Sequence, residues 1–133
     1  DGDIYRVDPS GTAIQRLTVG NDYLHFQLSE QDTHGSTDGP ALSPDGQRIA
    51  YIARRDGAPQ VHTMRVDGND QMQLTGRDAP CGRVCWSPDG NRIAFVSWVD
   101  RSPQLFVLSA EGGTPRRLTA VTGAVYFAVW KPC

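Results

Sequence analysis

Prolines 44, 88 and 132 stand 44 residues apart twice over (88 − 44 and 132 − 88), each in a copy of one turn: Ser43-Pro44-Asp45-Gly46, Ser87-Pro88-Asp89-Gly90 and the shortened Lys131-Pro132-Cys133. A constant period of that size marks a repeat protein, whose units bury their apolar faces only against one another. The likeness extends beyond the turn. Q-R-I-A-Y-I-A over residues 47–53 aligns with N-R-I-A-F-V-S over residues 91–97, and Leu17-Thr18, Leu74-Thr75 and Leu118-Thr119 recur as a closing pair. At about 40–50 residues, the four short strands of a propeller blade fit the unit best.

Each unit divides into strands a to d. Strand a precedes the turn (residues 39–42, 83–86 and 127–130), and strand b follows it with a period of two (48–53 and 92–99). Strand c covers residues 3–7, 60–66 and 104–109, and the short strand d covers 13–18, 71–75 and 115–119. Proline at the second turn position presets φ, and glycine at the fourth accepts positive φ, so Asp45 and Asp89 belong to the turn and not to catalysis. The sequence predicts an all-β fold, a partial β-propeller of four-stranded antiparallel blades. Strands c and d of a first blade occupy residues 1–18, a second blade 19–75, a third 76–119, and strand a of a further blade 120–133. Two full blades with flanking strands fall short of the roughly four that close a ring and leave open strand edges. The expectation is therefore a segment of a larger propeller, or a piece that a second copy completes as a homo-oligomer.

The spacing between the first two closing pairs is 57 (74 − 17) against 44 (118 − 74) for the next, so 13 residues are inserted ahead of the second strand a. The insert lies within residues 19–37 and holds Tyr23, His25, Phe26 and His34. Aromatic and titratable residues in a loop on a rigid scaffold are candidate binding residues; a packed loop or an extra strand covering the blade edge accounts for them equally. Strand direction alternates, so the insert shares a face with the b-to-c connections, which adds Arg54, Arg55, Arg77, Asp100 and Arg101 to the candidate partner surface.

Other chemistry finds little support. His62 alternates with Val61 and Thr63 and is expected to be a partly exposed strand residue, while Cys85, beside Trp86, reads as a small buried hydrophobe. If extended, residues 81–85 separate Cys81 from Cys85 by roughly 13 Å, beyond disulfide reach. Cys133 remains a candidate for pairing between chains. No spacing suits a metal or a cofactor, and neither a nucleophile elbow nor a phosphate loop is present, so the expectation is a protein without enzymatic activity. Net charge is −2, with 13 basic residues scattered among 15 acidic ones, which argues against nucleic acid as a partner. The longest apolar stretch is far short of the roughly 20 residues a membrane helix needs.

The units resemble the TolB-like propeller repeat, also called the PD40 or WD40-like repeat. The resemblance rests on W-S-P-D-G-x-R-I-A-F at residues 86–95, on I-Y-x-x-D at 4–8 and on R-R-L-T at 116–119. Leu42 departs from the pattern at the usual tryptophan, and the third turn breaks off. The resemblance implies a non-enzymatic scaffold for protein–protein interaction in the bacterial cell envelope, periplasmic or secreted, whose partners include proteins such as the peptidoglycan-associated lipoprotein. Its alternative implication is the accessory propeller of a larger hydrolase, either a prolyl-oligopeptidase-like serine peptidase or a polysaccharide lyase.

Overall fold

A computed structural model describes residues 3–20, 39–55, 57–76, 79–99, 102–125 and 128–131. Its described strands form one two-stranded and two four-stranded antiparallel sheets. β1 (Tyr5–Val7) and β2 (Ile14–Arg16) are strands c and d of blade 1. β3 (Ala41–Leu42), β4 (Arg48–Ala53), β5 (Gln60–Arg65) and β6 (Met72–Gln73) form blade 2; β7 (Cys81–Trp86), β8 (Arg92–Val99), β9 (Ser102–Ser109) and β10 (Arg116–Arg117) form blade 3. Central strands b and c pair along their whole length, from Arg48↔Arg65 to Ala53↔Gln60 and from Arg92↔Ser109 to Val99↔Ser102.

The repeated turn is built by its own side chains. Ser43 Oγ donates to Asp45 Oδ1 (2.5 Å), which also accepts from the Gln47 amide (3.0 Å), and the Arg48 amide returns to Ser43 Oγ (2.9 Å). The second copy repeats this through Ser87, Asp89, Asn91 and Arg92 (2.5, 3.0 and 2.9 Å). Gly46 and Gly90 have φ of 70° and 72°, a conformation that side chains with a Cβ rarely adopt. The repeated Asp and Ser are thus accounted for by architecture.

The Leu-Thr pair closes each blade by an equally regular device. Thr18, Thr75 and Thr119 present Oγ1 to the amides of Ile4, Val61 and Leu105 at 2.8, 3.0 and 2.9 Å, and the preceding leucine amide donates to the carbonyl of the same residue at 2.8 Å each time. The hydroxyl hydrogen goes to Asp3, Gln60 or Gln104. Strand d therefore continues its ladder through a side chain where its backbone turns away.

Blades pack face to face. Ala50, Ile52, Val61 and Leu74 of blade 2 meet Cys81, Val84, Trp86, Ile93, Phe95 and Leu108 of blade 3 in the larger core, while Leu17 of blade 1 meets Tyr51, Ala53 and Met64 in the smaller one. Trp86 Nε1 crosses the second seam to Ala41 O (2.9 Å), and Trp130 Nε1 reaches Cys85 O (3.4 Å) in the same way. Leu42, which occupies the tryptophan position of blade 2, is 59% exposed against 9% for Trp86. Residues 128–131 join no ladder among the described residues and are held instead by Trp130, whose ring lies 5.2 Å from the Arg92 guanidinium carbon.

Two expectations need correction. His62 is buried, 1% exposed, because a central strand of a blade is covered on both faces. Cys85 is only half-buried and Cys81 is the buried thiol; both are free. A bulge between Gly82 and Cys85, with Arg83 at φ +55°, lets β7 start two residues earlier than expected and carries Cys81 into the core.

Candidate functional site

Of the residues named from sequence, Tyr23, His25, Phe26, His34, Arg77, Asp100 and Arg101 lie outside the described residues. Arg54 and Arg55 follow β4 directly, at the blade edge where the b-to-c connection begins. Arg55 donates to Gln71 Oε1, and Gln71 Nε2 donates in turn to Gly68 O (3.0 Å) and across the first seam to Leu17 O (3.2 Å). An exposed guanidinium is thereby fixed to the contact between blades 1 and 2.

Sequence reasoning missed the pair beside it. Tyr51 and His62 are direct cross-strand partners, and their rings stack with centroids 5.5 Å apart and planes 29° apart. His62 Nδ1 lies 3.0 Å from Gln60 O. Burial pushes the His62 imidazole below its ordinary value and the Tyr51 phenol above its own. The Arg55 guanidinium is near enough to act on both charges, but Tyr51 Oη has no partner in hydrogen-bond geometry among the described residues. Aligning His62 with Phe106, as Tyr51 aligns with Phe95, is the sequence signal that marks the pair.

A cleft of about 500 Å³ opens between blades 2 and 3 on the side of the Ser-Pro-Asp-Gly turns. Asp45, Arg48 and Glu111 line it beside Trp86, and Arg48 is paired with Asp70 at 2.7 Å. Among the described residues, no group of three His, Cys, Asp or Glu side chains is arranged to hold a metal ion, and no helix is long and apolar enough to cross a membrane.

The titrating groups make a pH prediction. The Ser10 hydroxyl, with the Ala13 amide, holds Asp8 down at about 2, and Asp45 and Asp89 are held low first by Ser43 and Ser87 and Asp67 by the Asn69 amide. A group depressed in the folded state binds fewer protons than in the unfolded chain, so its stabilisation is present above the unfolded value and is lost as pH falls. Thermal midpoints should therefore decline in two limbs, one below about pH 6.5 from His62 and one below about pH 4 from the carboxylates. His62→Phe should abolish the upper limb and leave the lower one; an unchanged upper limb would contradict the assignment.

Residues 29–132 match the family model described as the TolB beta propeller domain, PD40. The chain belongs to the TolB β-propeller family. TolB of Acinetobacter baumannii superimposes with a TM-score of 0.65 at 24% identity, over 92% of this chain and 27% of that protein, which shows the shared fold. A putative TolB from Agrobacterium tumefaciens gives 0.67 at 27% identity, over 86% of this chain and 40% of its own. Tricorn protease homolog 1 of Streptomyces coelicolor is 47% identical over 36 residues, 27% of this TolB-family chain and 3% of the relative. The chain thus spans a small part of the curated relative and well under half of either TolB structure.

Proposed function

We propose that this TolB-family segment is part of a non-enzymatic scaffold for protein–protein interaction in the bacterial cell envelope, periplasmic or secreted. The observation that supports it most is where the reactive side chains go. The repeated Ser and Asp are bound up in turns, and the repeated Thr and its Gln or Asp acceptors in blade closure. What remains for a partner is blade-edge surface such as Arg54 and Arg55, on a rigid frame. The two TolB structures support the same reading.

The local identity to a tricorn protease homologue favours a second reading, in which these blades are the accessory propeller of a larger peptidase. Hydrolysis of fluorogenic peptides by this chain, and by the full-length product of its gene, separates the two. A scaffold cleaves in neither form. Cleavage by the full-length product alone supports the accessory propeller, and cleavage by this chain itself would overturn both.

A further inference from the structure

The period of 44 lays Arg92 and Trp130 over Arg48 and Trp86 (92 − 48 and 130 − 86), so each seam is a control for the other. Beyond blade 3, the Arg92 guanidinium carbon lies 5.2 Å from the centre of the Trp130 ring. Between blades 2 and 3 the equivalent arginine is turned away. Arg48 Nη1 donates to Asp70 Oδ2 at 2.7 Å and Nη2 to Thr63 Oγ1 at 3.2 Å, and among the described residues no guanidinium lies over Trp86. Thr114 stands at the place of Asp70 in blade 3 and offers Arg92 no charge, which is why only Arg48 is diverted.

The diversion leaves the cleft of about 500 Å³ on this side of the seam. Trp86, Met72 and Ala110 give it apolar wall, while Asp45 reaches it from the turn of blade 2 and Glu111 from the c–d turn of blade 3. Asp45 keeps its negative charge as it builds the turn, held below the usual carboxylate range first by the Ser43 hydroxyl, and the positive charge of Arg48 is neutralised by Asp70. Two carboxylates from opposite blades repel an acidic ligand and attract a cation. A guanidinium suits such walls better than an ammonium: it stacks on an indole, forks onto a carboxylate and lays its methylenes along apolar surface. We propose that this cleft receives an arginine side chain of a partner protein, seated beside Trp86 between Asp45 and Glu111, in the place that the Arg48 guanidinium would otherwise take. The site deepens the scaffold reading, on which it rests for the arginine's belonging to a protein. A chain that cleaves peptides could still bind an arginine probe, so the two fail separately.

Titration of the nitrogen-labelled chain with N-acetyl-arginine amide, whose only charge is the guanidinium, tests the site by NMR. The Trp86 indole and the Glu111 amide should shift together and saturate, with half-saturation at about 10 mM for one exposed ion pair and one cation–π contact. N-acetyl-citrulline amide, of the same shape without the charge, should move neither. Glu111→Gln should weaken the arginine probe about two- to fivefold. Asp70→Asn, which suits the φ of 53° at that position, frees Arg48 to swing onto Trp86 as Arg92 does onto Trp130, and should weaken the probe about fivefold or more although Asp70 does not line the cleft. Arg48→Gln leaves the cleft open and should bind at least as tightly as the unchanged chain. Equal shifts by the citrulline probe, shifts that never saturate or fall on other residues, full affinity in Glu111→Gln or Asp70→Asn, or a loss in Arg48→Gln would each overturn the proposal.

Discussion

Trp86→Ala is expected to lower the unfolding free energy by about 3–5 kcal/mol, the range for truncating a large buried aromatic side chain. The indole fills the core between blades 2 and 3 and ties them together through Ala41 O, so its loss both opens a cavity and leaves that carbonyl without its partner. Trp86→Phe keeps most of the ring and removes the bond, and should cost about 1 kcal/mol. Urea unfolding of the two variants measures both terms. A loss for Trp86→Ala below about 1 kcal/mol would mean that the seam does not hold the blades together.

The second large effect comes from a single hydroxyl. Thr75→Val keeps the shape of the side chain but strips the Val61 amide of its acceptor and leaves Gln60 Oε1 only the weak Cys81 thiol donor at 3.7 Å, in a site where Val61 is fully buried and Gln60 is 3% exposed. Stranding buried polar groups costs about 1–3 kcal/mol each, so a loss of about 2 kcal/mol or more is expected. Thr119→Val removes the same pair of bonds where Thr119 and Leu105 are only half-buried and Gln104 Oε1 keeps the Val121 amide at 3.4 Å, and should cost less than half as much. Equal losses in the two variants would show that burial does not set the strength of the closure.

The repeat explains why so much of this fold was legible. The sequence places strands b at 48–53 and 92–99, and they are found at Arg48–Ala53 and Arg92–Val99, because a Pro-Gly turn fixes one end and the alternating run fixes the length. Strands d span about five residues in the sequence pattern but keep ladders of only two or three, since the Thr hydroxyl takes over from the backbone at their end. The burial of His62 is hidden from the sequence for a more general reason. Alternation signals one wet face, but a blade strand has neighbours on both, so a polar residue in strand c can lie in either core. The bulge that buries Cys81 gave no signal beyond Gly82, and Arg83 at positive φ is not a residue that composition would select for it. The candidate partner surface was legible only as a face. Of its residues only Arg54 and Arg55 are described, directly after β4, and the aromatic pair next to them is visible only once the repeats are laid over one another.

Residue-resolved amide hydrogen exchange tests the blade architecture most directly. Two matching sets of slow amides are predicted, one in Arg48–Ala53 and Gln60–Arg65 and the other in Arg92–Val99 and Ser102–Ser109, with the Val61 and Leu105 amides slow through their threonine acceptors. Protection confined to one set, or Val61 and Leu105 exchanging at the rate of exposed loop amides, would contradict the account of two blades closed by the same device.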